Sequence, residues 1–300
     1  MRNLLKRIFS PSSPAKDFAY HIDQFPTTEA KDRPETISAI LQKNLDGVVI
    51  PDFLSAAEGQ QLIQGFRALQ EQQLVRVDAG FTSHPMAFAQ MDQMIRSEKI
   101  TAQDYHTSAK KFRQGFENQF GIDVESRLIQ LLESLGQGFK AGVPEDHAGF
   151  GSFIPFTFRE LLPGKGTLKA HCEHLFFQEF PKFFERFSHF TRNENQLSFF
   201  IVLQKAGQGG ALTLYDLLWE DGQRRPTDFD IRLADGTQVN VEDPKELPQQ
   251  HISPQAGTLV VFAGGKIWHR VDMVEAAPSR ITLGGFLSFS PDYQHIYLWS

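Results

Sequence analysis

The stretch from Gly257 to Phe289, GTLVVFAGGKIWHRVDMVEAAPSRITLGGFLSF, decides the reading of this chain. It divides into GTLVVF, a glycine turn, KIWHRV, a break with a proline, and SRITLGGFLSF, and in each piece apolar residues alternate around a polar one, as in half-buried strands. His269 and Arg280 lie eleven residues apart on two of these predicted strands. Upstream, FTFRELLPGKGTLKAHCEH reads as strand, Pro-Gly turn, then a strand ending in HCEH at 171–174. On a strand the spacing of His171 and Glu173 sends both side chains to one face, while Cys172 points the other way.

These two stretches together describe a metal site, with His171, Glu173 and His269 as ligands. The His-x-acid triplet alone is weak: with 10 His and 36 acidic residues, about one is expected by chance, and His21-Ile22-Asp23 is a second example. The strand context raises the signal, because His21 precedes any strand-rich region. Two histidines and a carboxylate on one face, with the remaining positions open, suit a non-haem iron(II) centre. Arg280 is then free to hold a co-substrate carboxylate, for which its planar fork is better shaped than an ammonium.

At this point the residues resemble the Fe(II)- and 2-oxoglutarate-dependent oxygenases, particularly the branch with prolyl-4-hydroxylase-like and small-molecule hydroxylase members. Those enzymes use HxD or HxE, a distal His and an Arg roughly ten residues beyond it; here these are His171, Glu173, His269 and Arg280, with Thr282 where many relatives place a hydroxyl. LDGVVIPDFLSAAEGQQLIQGF at 45–66 is similar to the strand-and-helix opening of many such enzymes. The resemblance covers roughly residues 45–70 and 153–290. It departs in the long separation of Glu173 from His269 and in Glu where Asp is commoner. It implies Fe(II) as the metal, 2-oxoglutarate and O2 as co-substrates, and hydroxylation of a C–H bond with release of succinate and CO2. Related aliphatic halogenases replace the carboxylate by Gly or Ala so that chloride can bind iron, and an intact Glu173 argues for the hydroxylase. Desaturation or halogenation on the same fold, and a non-catalytic cupin-like metal-binding or sensing protein, are the alternatives. A zinc hydrolase lacks support, since no HExxH helix or cysteine set accompanies the histidines.

The rest of the chain agrees with one enzyme acting on a small molecule. Three hundred residues bury a substantial core. A net charge of -6 argues against a partner held through phosphates, so no nucleic acid is expected. A single cysteine excludes an internal disulfide and is consistent with the cytoplasm. No apolar run approaches the roughly 20 residues that span a bilayer, and no membrane partner is expected. Oligomeric state is left open.

Residues 1–35, rich in Ser, Pro, Thr and Asp after a basic MRNLLKRIF start, read as a flexible arm, and 36–300 as a single oxygenase domain. Within it we expect a helical buttress over about 36–150, a jelly-roll core over about 151–290 and an insertion over about 175–195. A capping box, Ser55 to Glu58, opens a helix whose Leu62, Ile63, Phe66 and Leu69 share a face. A second helical region spans about 109–139. Strands are expected at 153–162, 167–173, 196–204, 211–219, 229–234, 258–263, 267–273 and 280–289. Helices followed by about eight strands predict a mainly β fold, a double-stranded β-helix of the cupin type with an N-terminal helical buttress. The segment LFFQEFPKFFERFSHF, 175–190, reads either as a core-packed helix or as an apolar lid over the metal. Cys172 is expected to be a buried packing residue, His174 to stand off the metal-facing side, and Arg270 to face outward by alternation. Arg159 is a candidate for a substrate carboxylate, and Thr213 and Tyr215 alternate together, facing either way.

Overall fold

A computed structural model describes residues 19–72, 76–78, 80–224, 230–240 and 247–300. Two β-sheets form its centre. The larger runs in the order Ile22–Gln24, Gly47–Ile50, Leu259–Phe262, Arg192–Gln204, Arg280–Phe289, Thr157–Leu161, Phe81–His84 and Arg76–Asp78, with His295–Trp299 also on Arg280–Phe289 and Lys140–Gly142 beyond it. The smaller runs Gln249–Ile252, Leu212–Leu218, Ile267–Val271 and Leu168–His171. Phe200, Val202, Leu212, Leu214, Val260, Phe262 and Ile267 fill the space between the sheets, so each strand buries its alternate residues against the other layer. This is the jelly roll expected from the sequence.

The outer face of the larger sheet is closed by helices Ala56–Gln70, Ala102–Phe120 and Val124–Leu135. The first begins at the expected capping box: the Glu58 amide donates to Ser55 Oγ at 3.3 Å and the Ser55 amide to Glu58 Oε2 at 2.8 Å, satisfying two N–H groups that the helix leaves open. Phe66 from its buried stripe stacks on Phe158 of the sheet, ring centroids 4.9 Å apart. The expected helix over 109–139 is instead two. Gly121 ends the first in the left-handed region (φ 69°), and the Asp123 carboxylate caps the second by accepting from the Ser126 amide.

The region before residue 150 holds the short strand expected at the 45–66 opening, Gly47–Ile50, and beyond the expected helices a further strand, Phe81–His84. It supplies Gly47–Ile50 and Phe81–His84 to the larger sheet and a helix, Phe88–Arg96, to the rim of its open end. Residues 1–18 of the expected arm, including the basic start, lie outside the described residues. From Ile22 the chain pairs in parallel with Gly47–Val49, so residues 22–35 belong to the fold rather than to an arm. Residue 229 of the expected strand 229–234 also lies outside them, and Asp230–Leu233 is strand. Strands Gln249–Ile252 and His295–Trp299 were not expected, the latter carrying the sheet past 290.

Candidate active site

His171 ends the strand Leu168–His171, and across the antiparallel pair its direct partner is His269 on Ile267–Val271. That register brings the two imidazoles together, ring centroids 4.4 Å apart. Each ring is oriented by its own strand in the same way. Nδ1 of His171 sits 2.6 Å from the Lys169 carbonyl and Nδ1 of His269 sits 2.8 Å from the Ile267 carbonyl. A carbonyl accepts only, so each Nδ1 carries the proton and each Nε2 keeps its lone pair for a ligand.

Glu173 does not lie on the strand as expected; it opens a 3-10 turn, Glu173–Leu175. Cys172 between them is still extended (φ -138°, ψ 150°), which preserves the alternation and sends Glu173 to the side of His171. Cys172 itself is buried with Ala170, Tyr215 and Trp268 on the opposite side. One ligand atom from each of His171, Glu173 and His269 falls within 4.8 Å of the others, and among the described residues no other such His/Cys/Asp/Glu group occurs. Glu173 is 1% exposed, with Oε1 accepting from Ser198 Oγ and lying 3.4 Å from His269 Nε2. Oε2 has no hydrogen-bond partner. A buried carboxylate oxygen without a donor is costly unless a cation completes it, and with two aligned imidazole lone pairs this donor set fits a divalent metal. Gly264 forms the floor: a Cβ there would stand 2.7 and 2.9 Å from the two Glu173 oxygens.

The electrostatics agree. Burial, and then neighbouring His269, push the His171 pKa down to about 4, so the ring is neutral and able to ligate near neutral pH. Burial raises the Glu173 carboxyl, but the imidazoles and the Ser198 hydroxyl outweigh it and hold the group below its ordinary value, as a carboxylate.

The three side chains open on a cavity of about 380 Å3 between the sheets. Arg280 and Thr282 share its wall by strand alternation, as expected. Arg280 is 8% exposed, its Cζ 5.1 Å over the Phe200 ring, and burial followed by nearby Arg159 pushes its pKa down to about 10. Arg159 lines the same wall. The segment 175–190 is not one helix but is broken in two. Pro181 disfavours helix at Phe180, so Phe176–Glu179 ends and Pro181–Phe187 begins anew. Phe176 and Phe180 line the cavity; Phe183, Phe184 and Phe187 pack in the core around Trp299. The insertion is also shorter than 175–195, since strand resumes at Arg192.

Thr213 and Tyr215 face away from the cavity. Thr213 Oγ1 donates to Asp272 Oδ2 at 2.9 Å, Tyr215 joins the cluster behind Cys172, and Leu212 takes the cavity side. Arg270 pairs with Asp272 (2.7 Å), and His174 lies against Trp219, ring centroids 4.8 Å apart, both outside the ligand group. Sequence reasoning missed Ser198, although it is a lone polar residue in the apolar run LSFFIVL, and it missed the rim residues Phe88 and Gln90.

Comparison with known proteins places this arrangement. Among solved structures, an N-substituted L-amino acid dioxygenase from Burkholderia ambifaria is similar over 88% of this chain and 90% of its own, with TM-score 0.55 and 15% identity. The same enzyme in complex with alpha-KG matches over the same shares with TM-score 0.54 and 15% identity. The fold is thus that of the 2-oxoglutarate-dependent non-haem iron oxygenases. No curated protein sequence matches the chain. The chain belongs to the family of the carrier-protein-independent halogenase WelO5, whose model matches residues 20–300. It is an enzyme of the Fe(II)- and 2-oxoglutarate-dependent superfamily, using Fe(II), 2-oxoglutarate and O2.

Proposed function

We propose that this enzyme hydroxylates an unactivated C–H bond of a small molecule, although its family is described by a halogenase. The observation that carries this is Glu173: a buried carboxylate on the ligand face, with an oxygen lacking any hydrogen-bond partner. In this reading His171, Glu173 and His269 hold the iron, and Arg280 with Thr282 holds the distal carboxylate of 2-oxoglutarate. Iron bound there supplies O2 activation coupled to oxidation of 2-oxoglutarate to succinate and CO2. The chain's own residues do the rest. The Lys169 and Ile267 carbonyls fix the two imidazoles so that neither has to turn when metal binds. Ser198 and Gly264 hold the Glu173 carboxylate in one place, and Phe88, Phe176 and Phe180 keep water from the oxidising centre. The oxygenase domain expected over 36–300 starts in this proposal at Ile22, whose strand pairs with Gly47–Val49, and a cytoplasmic setting goes with it.

Halogenation is the second reading, favoured by the match to the family model. Aliphatic halogenases of this superfamily open the carboxylate position to halide, whereas Glu173 fills it. Mass spectrometry of turnover products in chloride and in bromide separates the two. Product gaining oxygen in both salts is expected; a halogenated product from the wild-type enzyme overturns the proposal.

A further inference from the structure

Resting on the hydroxylase reading, we infer that the substrate carries a carboxylate beside an apolar body, and that Arg159 receives it. Arg159 and Arg280 sit on adjacent strands of the larger sheet and line one cavity wall. Among the described residues neither guanidinium has a carboxylate partner. Arg159 donates from Nε to Thr157 Oγ1 and from Nη2 to Ser300 Oγ, each at 3.1 Å, both neutral hydroxyls. Its Cζ lies 5.3 Å over the Phe286 ring, as Arg280 lies over Phe200. Burial lowers the pKa of both, the cost of holding two like charges out of water.

Charge balance then assigns the roles. The 2-oxoglutarate dianion offsets a divalent metal, and Glu173 offsets one guanidinium. Glu179 and Arg224, also on the lining, offset each other through an ion pair of 2.8 Å. Lys169 on the same lining is exposed and screened by solvent, so among the buried groups one guanidinium stays without a side-chain carboxylate to offset it once metal and co-substrate are in place, and such a charge is expensive unless the remaining ligand is an anion. Arg159 is the better placed of the two for that ligand. The Phe286 ring under it packs against Phe176 (ring centroids 5.5 Å), which in turn stacks on His171 (6.1 Å), so Arg159 stands on the His171 side of the wall, where the reacting carbon of a substrate must come. Phe286 beneath it, with Phe88, Phe176 and Phe180 around the same space, suits an apolar or aromatic skeleton attached to the acid.

Calorimetry tests this on wild-type, Arg159→Gln, Arg159→Lys and Arg280→Lys proteins, loaded anaerobically with Fe(II) and 2-oxoglutarate. The probes are matched acids and primary amides: phenylacetate, 3-phenylpropanoate, 4-phenylbutanoate and octanoate with their amides. In wild type at least one acid should bind about tenfold or more tightly than its amide, the size of one charge-assisted hydrogen bond. Arg159→Gln should abolish that preference and change 2-oxoglutarate affinity by less than about threefold, with Arg159→Lys keeping part of the preference. The inference is overturned if no acid out-binds its amide, if the preference survives Arg159→Gln, or if Arg159→Gln weakens 2-oxoglutarate as much as Arg280→Lys does, which would make Arg159 a second co-substrate anchor. Failure of the hydroxylase reading shows itself separately, in the product mass spectra, and leaves this binding comparison readable.

Discussion

Arg159 and Glu160 are neighbours on one strand, and alternation sends them to opposite faces of the same sheet with opposite electrostatic outcomes. On the helix side, Glu160 is enclosed by partners: Arg67 reaches it with Nη1 at 2.8 Å and Nη2 at 2.6 Å, Ser279 Oγ donates at 2.6 Å, and Gln70 adds a further hydrogen bond. On the cavity side, Arg159 and Arg280 meet phenyl rings, and no carboxylate pairs with either among the described residues. A buried charge that is matched within the chain belongs to the architecture. One left unmatched is held for something that arrives later, and its cost is borne by the rest of the fold.

Changes on the cavity face should therefore cost function with little stability, and changes on the helix face the reverse. The largest effect is expected at the ligands: His171→Ala or His269→Ala should remove Fe(II) binding and turnover together, measured by metal content and succinate release, and retention of both would break the assignment. Glu173→Gly should lose most hydroxylation for the same reason. Next, Arg280→Lys keeps the charge but not the fork, and about 1.5 to 3 kcal/mol for a charge-assisted hydrogen bond gives a loss of roughly tenfold to a hundredfold in 2-oxoglutarate affinity. Its iron content and melting temperature should stay close to wild type; an unaltered half-saturation would point to another anchor.

On the helix face, Arg67→Ala should cost about 1 to 3 kcal/mol of stability by denaturant unfolding, because it strips the main donor from a buried carboxylate while Arg67 itself is half exposed. The sign of its pH dependence follows. Burial pushes the Glu160 carboxyl up, but Arg67, Ser279 and Gln70 outweigh it and hold it below the ordinary value. Its stabilisation is thus present above the ordinary Glu range and lost as pH falls through the lowered value. In Arg67→Ala acid unfolding should begin at higher pH, and an unchanged acid midpoint would contradict the pairing. The smallest effect is at the cap, where Ser55→Ala should cost about 1 kcal/mol with 2-oxoglutarate affinity unchanged.

Much of the candidate site was legible because its residues follow local rules. His171, Glu173, Arg280 and Thr282 depend on strand parity, and parity is written in the apolar alternation on either side of them. Thr213 and Tyr215 show the limit of that rule: they alternate together, yet which face they take depends on the strands paired against them, information held at His251 and Asp272 rather than nearby. The helix break at Gly121 was readable in principle, since a glycine followed by the capping Asp123 marks an end and a start; the leucine stripe beyond it masked the boundary. Strand Ile22–Gln24 was not readable, because three residues in a polar stretch carry no period and form a strand only when Gly47–Val49 lies alongside.

The division of the aromatic segment at Phe180 and Pro181 bears on how such an enzyme can change its chemistry over time. The part after the proline is fastened into the core: Phe183, Phe184 and Phe187 crowd Trp299, and the Phe183 amide donates to Asp92 at 2.9 Å. The part before it presents Phe176 and Phe180 to the cavity, and both are only half-buried. Substitutions in the first half thus reshape the guest space, while the second half keeps the segment in register. Diversity in accepted molecules is open to a lineage, or to a laboratory library, through a handful of positions whose variation does not reach the scaffold.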